Sequence, residues 1–203
     1  MKIAIVCDWL VTYAGAEKVL EQMLRVFPEA DLFALVDFIE PGKRGFIQNK
    51  RVATSFIQNL PKAKTKYRNY LPLMPLAIEQ LDVTGYDLVI SSSHCVAKGI
   101  ITSPNQVHIS YVHSPIRYAW DLQHQYLQEA GLTKGLKGWV ARIILHYMRL
   151  WDYRTSNNVI ILWPIQNLSL SEFGNVTGVK RTLFTRQSIL PLLNCTSRKE
   201  IFI

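Results

Sequence analysis

The sequence predicts an α/β fold in which strands alternating with helices build a parallel sheet. Apolar residues make up 49% of the 203 residues and charged residues 19%, so the chain can bury a core and is not intrinsically disordered. Short apolar runs rich in β-branched residues alternate with segments of helical periodicity. The first strand, helix and strand have the spacing of one βαβ unit, which favours parallel pairing.

The N-terminal βαβ unit is predicted from three consecutive segments. Residues 2–7 form an apolar, β-branched run typical of a buried parallel strand. Residues 16–27 carry apolar side chains at helical spacing on one face, which predicts an amphipathic helix. Residues 31–36 are predicted as the second strand.

The remaining elements follow the same logic. Residues 41–50 are predicted as a loop and residues 51–54 as a short strand. Residues 62–70 are basic and aromatic, and the prolines at 72 and 75 interrupt this segment. Two further strands are predicted at residues 86–91 and 107–112, and a long helix at residues 139–157.

Composition excludes several classes of protein. No apolar run reaches the roughly 18 residues needed to span a bilayer, and the N-terminus does not have the features of a secretory signal. Three cysteines without a C-x-x-C motif argue against a disulfide framework and a cysteine zinc site, so a cytoplasmic location is expected. The net charge of +8 suggests an anionic partner. Because the basic residues are scattered and no nucleic-acid motif occurs, we do not expect nucleic acid to be that partner.

Polar clusters follow three of the predicted strands. In open α/β sheets, ligands bind at the carboxyl ends of the strands. Asp8 follows the first strand, Ser91 to His94 follow another, and His113 to Arg117 follow a third. These positions are the candidates for a binding site.

The segment from Asp8 to Lys18 leads through Gly15 into a helix. A helix N-terminus offers free N–H groups to a phosphate, and a glycine lets the backbone approach it. A single glycine without a G-x-G-x-x-G or P-loop motif is equally consistent with an ordinary βα turn.

The segment from Ser91 to Lys98 allows two interpretations. If a helix begins near His94, Lys98 lies one turn further along the same face and suits an anionic substrate. The more common alternative is a serine N-cap followed by a solvated lysine.

The segment from His113 to Trp120 combines several groups that bind sugars or phosphates. A histidine can bind a sugar hydroxyl or transfer a proton, and Arg117 can clamp a phosphate. Tyr118 and Trp120 can stack on a sugar ring. The structural alternative is a helix start at Pro115 with its aromatic side chains in the core.

Trp139, Ile143, Tyr147 and Trp151 recur every four residues on the long helix, among basic residues. This pattern is compatible with an interfacial helix on anionic lipid and with a helix packed on its own sheet. Packing on the sheet is favoured slightly.

Taken together, three strings of this sequence resemble family-4 glycosyltransferases of the GT-B type, particularly mannosyl- and glucosyltransferases of polysaccharide assembly. The strings are CDWLVTYAGAEKVLEQMLRVFPEADLFALV, YDLVISSSHCVAKGIITSPNQVHISYVHSPIRYAWD and MRLWDYRTSNNV. The resemblance covers residues 1–159. The sequence departs from the family at Ala14, where a second glycine is usual.

The resemblance implies an α/β, Rossmann-like parallel sheet with helices on both faces, which is the N-terminal, acceptor-binding half of a GT-B fold. It implies retaining transfer of a hexose such as mannose or glucose, without a metal, from a nucleotide sugar to a glycan or lipid-linked acceptor. It places His113 near the reacting sugar as the catalytic candidate. The substrate-binding candidates are Asp8, Gly15, Ala16, Glu17, His94, Lys98, Arg117, Tyr118 and Trp120.

Residues 160–203 are interpreted as translated out of frame. Back-translation read one base earlier allows tyrosine, phenylalanine, valine, alanine, asparagine, serine and lysine in a row, which matches the family. We therefore expect a single-base deletion near the Val159–Ile160 codons, a poorly ordered tail over residues 160–203, and no C-terminal donor domain. The chain is then an inactive acceptor-side fragment. The alternative is a non-catalytic module that binds glycans, phosphates or another partner. With either function, contact with the inner face of a membrane is compatible with the sequence.

Overall fold

The computed structural model describes residues 1–114 and 116–156, and the backbone of residues 161–164. Within these residues, six strands form one sheet in the order β3-β2-β1-β4-β5-β6. The strands are β1 (Ile3–Cys7), β2 (Asp31–Ala34), β3 (Val52–Thr54), β4 (Leu88–Ser93), β5 (Val107–Val112) and β6 (Ile161–Pro164). Every neighbouring pair is parallel, which confirms the predicted α/β fold.

Helices connect the strands and cover both faces of the sheet. The α-helices of the described residues are α1 (Gly15–Val26), α2 (Ala63–Lys66), α3 (Met74–Glu79), α4 (Gln123–Glu129) and α5 (Gly135–Ser156). Because successive strand residues point to opposite faces, β1 contributes to two apolar clusters. Ala4 and Val6 pack with α3 and α5 on one face, and Ile5 and Cys7 pack with α1 on the other.

The sequence located the main elements, and the structure moves several of their ends. The fourth strand runs to Ser93 rather than ending at residue 91, because its polar residues are themselves buried and paired with β5. The predicted loop at residues 41–50 contains two short 3-10 helices. Pro72 lies within a 3-10 helix and Pro75 in the first turn of α3, where a missing N–H costs little.

Most of the segment predicted to be a poorly ordered, out-of-frame tail lies outside the described residues. Its described part, Ile161–Pro164, is the edge strand β6, which pairs with Ile109–Val112 of β5. The predicted helix end at residue 157 also lies outside the described residues, and α5 is described up to Ser156.

The described helices include none that combines the length and the apolar character needed to cross a bilayer. The longest, α5, has 22 residues but carries basic side chains along its length.

Candidate functional site

The carboxyl ends of β1, β4 and β5 lie side by side at one edge of the sheet, because these strands are neighbours and parallel. The structure therefore brings together side chains that are far apart in sequence. We call Asp8, Ser92, His94 and His113 the strand-end cluster.

Asp8 is the buried anion of the strand-end cluster and is 1% exposed. Its Oδ2 accepts hydrogen bonds from the backbone N–H groups of His94 and Cys95, and its Oδ1 accepts from those of Val96 and Ala97, at 2.6 to 3.0 Å. Burial alone raises the pKa of Asp8, but the His94 charge and these hydrogen bonds outweigh it and lower the pKa to about 2. Asp8 thus holds the loop after β4 in place, and its oxygens are already occupied.

His94 sits on Asp8 as the cation of the cluster. Its Nδ1 lies 2.9 Å from Asp8 Oδ2, and the Trp9 ring packs edge-on at a centroid distance of 4.4 Å. Burial alone lowers the pKa of His94, but the Asp8 carboxylate more than offsets this and raises the pKa above its ordinary value. The side chain remains 28% exposed, so an imidazole with a raised pKa meets the solvent at the sheet edge.

His113 is the neutral partner in the cluster. Its Nε2 shares a 2.8 Å hydrogen bond with Ser92 Oγ, and its ring centroid lies 6.3 Å from that of His94. Burial, reinforced by the His94 charge, lowers the pKa of His113 to about 4. Ser92 therefore orients a half-buried, uncharged imidazole at neutral pH, beside a charged one.

The first turn of α1 adjoins the cluster. Ala16 and Glu17 line a cavity of about 10 Å³ together with Asp8, Trp9 and His94. A volume of this size admits about one water molecule and is too small for a sugar or a phosphate.

Glu17 was predicted to contact substrate, but its carboxylate caps its own helix. Its Oε2 accepts a 2.9 Å hydrogen bond from the Ala14 N–H, and the side chain is buried. Ala14 has extended backbone angles, so the position does not require the glycine that the family usually has. Gly15 is exposed, and a Cβ there would meet no atom within 4 Å. The chain's own packing therefore does not explain why Gly15 lacks a side chain.

Lys98 was expected to face an anionic substrate or, as the alternative, the solvent. Its side chain is buried, so the solvated alternative is wrong. No α-helix begins near His94. A 3-10 helix at Ala97–Gly99 turns Lys98 inward, where its Nζ forms an ion pair with Asp152 of α5. Asp152 Oδ2 also accepts a 2.9 Å hydrogen bond from Trp120 Nε1. We call Lys98, Trp120 and Asp152 the buried ion-pair cluster.

Two more predicted substrate contacts have partners within the protein. Arg117 forms a 2.9 Å ion pair with Asp121, one turn further along, and both side chains are about half exposed. The Tyr118 hydroxyl lies 3.0 Å from Cys95 Sγ, and burial together with Cys95 raises the pKa of Tyr118. Trp120 donates its indole N–H to the buried ion-pair cluster, and both aromatic residues are partly buried.

Two residues of these clusters, and one that packs against His94, were missed as site candidates. Ser92 lies in the polar run from Ser91 to His94, but no feature of the sequence distinguishes it from the neighbouring serines. Trp9 directly follows Asp8, and a tryptophan next to a strand-end carboxylate could have drawn attention to it. Asp152 gives no local signal, because its partner is 54 residues away in sequence.

Two larger cavities lie away from the strand-end cluster. One of about 450 Å³ is lined by residues 98–104 and by Arg154, and one of about 510 Å³ by residues at the amino ends of β1 and β2. In the described part of the chain, no group of three or more His, Cys, Asp or Glu side chains has the arrangement of a metal site.

Comparison with known proteins finds no matching family model, no matching curated protein and no matching solved structure.

Proposed function

We propose that this chain carries the acceptor-side half of a retaining, nucleotide-sugar-dependent glycosyltransferase, with the strand-end cluster as its part of the active site. The single observation that carries the proposal is the neutral His113 imidazole, oriented by Ser92 at the carboxyl edge of a parallel sheet. The sequence resemblance in the two segments that supply Asp8, His94 and His113 supports the same interpretation.

The chemistry of the cluster suits a sugar hydroxyl. A neutral imidazole both donates and accepts hydrogen bonds, and Ser92 occupies Nε2 of His113. Nδ1 of His113 has no hydrogen-bond partner among the described residues, which leaves this nitrogen available to a ligand. In the proposed role, this nitrogen binds a hydroxyl of the transferred hexose, such as mannose or glucose.

The charges beside His113 suit an anionic acceptor. The raised pKa of His94 favours a cationic ring with an exposed edge, while its partner Asp8 is buried. The first turn of α1 lies next to it and directs backbone N–H groups and the positive end of the helix dipole toward the same edge. A phosphate of a lipid-linked glycan would meet both.

For this chain alone, the proposal is binding without turnover. The described residues supply one sheet edge, and transfer requires a second surface that holds the nucleotide sugar against the acceptor. Without it, the rate gain from holding the two reactants together is lost.

The test compares two proteins: this chain, and one encoded after a single base is restored at the Val159–Ile160 codons. We expect this chain to bind a pyrophosphate-linked glycan without transferring sugar. We expect the frame-restored protein to transfer labelled hexose from a nucleotide sugar to that acceptor.

The role of His113 is tested in the frame-restored protein. His113→Ala should lower the transfer rate about 100-fold or more, because it removes the positioned imidazole. His124→Ala changes an exposed histidine of α4 and is the matched control, with no change expected. Unchanged transfer after His113→Ala would remove this residue from the mechanism. Glycan binding without transfer in both proteins would favour the alternative, a non-catalytic glycan- or phosphate-binding module.

A further inference from the structure

Helix α5 has two apolar faces, and only one of them is covered. Leu145, Met148 and Trp151 are buried against the sheet. On the opposite side, an outer stripe is exposed to solvent and consists of Leu136, Trp139, Val140, Ile143, Tyr147 and Leu150. A surface helix normally carries polar residues on the face away from its core.

The outer stripe is continuous. Residues 136, 140, 143, 147 and 150 follow one another at spacings of four and three, and Trp139 lies three residues after Leu136 and four before Ile143. The stripe is therefore a line about 20 Å long at a rise of about 1.5 Å per residue. Leu136 is 81% exposed and Trp139 is 68% exposed. Single exposed apolar side chains are ordinary, but a contiguous line of them marks an interaction surface.

The charges around the outer stripe have one sign. The only acidic residue of α5 is Asp152, which is buried and paired with Lys98. At about 100° per residue, Arg142 and Arg149 lie along one flank of the stripe and Lys137 along the other. Hydrogen bonds from Arg142 to the Thr133 carbonyl and from Arg149 to the Ala119 carbonyl hold the first flank in place.

We propose that the outer stripe of α5 docks on an anionic lipid surface, with the helix lying in the plane of the interface. Leucine, valine and isoleucine side chains would enter the boundary between headgroups and acyl chains. The basic flanks would meet anionic headgroups, and the rings of Trp139 and Tyr147 suit the headgroup level.

A second copy of this chain is the competing occupant. The spacing of residues 136, 140, 143, 147 and 150 resembles a coiled-coil seam. A pair of such helices would bring arginine and lysine flanks together without an acidic residue to compensate, since the only acid of α5 is internal. Charge complementarity therefore favours the anionic membrane.

The test uses the full chain and sedimentation with phosphatidylcholine vesicles, with and without about 30% phosphatidylglycerol. We expect binding to the anionic vesicles at roughly 0.1 M salt, little binding to the neutral ones, and a marked loss at roughly 0.5 M salt. Absence of binding to anionic vesicles at low salt would overturn the proposal.

Two matched substitutions distinguish vesicle binding through the outer stripe from vesicle binding through net charge alone. Val140→Glu places a charge in the outer stripe, and Val26→Glu places the same charge on α1, on the other face of the sheet. The two valines are 47% and 53% exposed, so neither change disturbs the core. We expect Val140→Glu to weaken vesicle binding about tenfold or more and Val26→Glu to leave it nearly unchanged.

Equal losses in the two variants would overturn the proposal, because net charge alone would then explain the binding. The proposal would also be overturned if the chain forms a dimer in the absence of vesicles and Val140→Glu dissociates this dimer. A second copy of the chain would then cover the outer stripe. Sedimentation equilibrium of both variants and the parent chain distinguishes this outcome.

Discussion

His94 of the strand-end cluster and Lys98 of the buried ion-pair cluster lie four residues apart, after β4. The two clusters nevertheless differ in what remains available to a ligand. In the ion-pair cluster, Lys98 and Asp152 have side chains that are each 1% exposed and satisfy one another. In the strand-end cluster, Asp8 is equally buried, but His94 and His113 reach the sheet edge. The comparison teaches that a charged residue near a strand end becomes a site residue only when its internal partners leave part of it open.

Breaking the ion-pair cluster should have the largest effect. Asp152→Ala leaves the Lys98 ammonium buried without a partner, and we expect a loss of about 3–5 kcal/mol in the free energy of unfolding. Denaturant titration measures this loss, which should lower the melting temperature by about 10 °C.

Asp121→Ala is the matched control for that prediction. It removes a carboxylate from a half-exposed ion pair with Arg117 and should cost less than about 1 kcal/mol. The double variant Lys98→Met/Asp152→Leu should recover most of the stability, because it removes both charges together. A loss for Asp152→Ala no larger than that of the control would contradict the structural role of the pair.

Acid should destabilise the protein through its buried neutral histidines. His108 is 2% exposed and shares a 2.9 Å hydrogen bond with Ser91 Oγ, and burial lowers its pKa to about 4. In the unfolded chain the pKa is about 6.5, so between these values the unfolded state binds more protons and stability falls as the pH falls. We expect up to about 3 kcal/mol to be lost from this group between about pH 6.5 and pH 4.

The other titrating groups of the strand-end cluster act in different pH ranges. His94 has a raised pKa, so its contribution is complete below about pH 6.5 and is lost as the pH rises through its folded pKa. Asp8 contributes above about pH 3.8 and loses this contribution as the pH falls through about 2. His113 titrates in the same pH range as His108.

The variant His108→Gln removes one of these titrating groups. Its free energy of unfolding should therefore fall less steeply with falling pH than that of the parent chain. An unchanged slope would contradict the assignment of His108 as a buried, neutral histidine.

Of the two glycines compared next, Gly15 has the smaller expected effect on stability. Gly15→Ala adds a methyl group that meets no atom within 4 Å, in the first turn of a helix, so stability should change by less than about 1 kcal/mol. If a phosphate approaches the backbone there, acceptor binding should weaken about tenfold. Titration calorimetry with a pyrophosphate-linked glycan measures this. Unaltered binding would remove the α1 turn from the site.

Gly99→Ala is the structural counterpart. Its methyl group would overlap the Trp151 ring next to the buried ion-pair cluster. We expect a loss of about 1–3 kcal/mol in the free energy of unfolding, with acceptor affinity retained in the folded fraction.

The strand pattern was sufficient to predict the sheet and the meeting of Asp8, His94 and His113. Parallel neighbouring strands end at one edge, so a polar residue just after each strand is enough to locate the cluster. The fate of Lys98 could not be predicted in this way, because Asp152 lies on a helix whose docking depends on tertiary packing.

The row of Trp139, Ile143, Tyr147 and Trp151 shows another limit of pattern analysis. The helix does pack on the sheet, as was slightly favoured, but of these four side chains only Trp151 is buried there. A step of four residues advances by about 40° around the helix, so the row turns by about 120° over its length. The exposed fractions accordingly fall from 68% at Trp139 to 53%, 44% and then 6% at Trp151.

The most direct test of the account is a titration of this chain with a pyrophosphate-linked glycan, followed by the ¹⁵N resonances of its histidine rings. We predict a neutral His113 at pH 7, a His94 ring with a pKa above its ordinary value, and ligand-induced shifts of both rings. The buried His108 ring should not shift, since it lies within the sheet. Binding that leaves His94 and His113 unshifted would contradict the assignment of the strand-end cluster as the acceptor site.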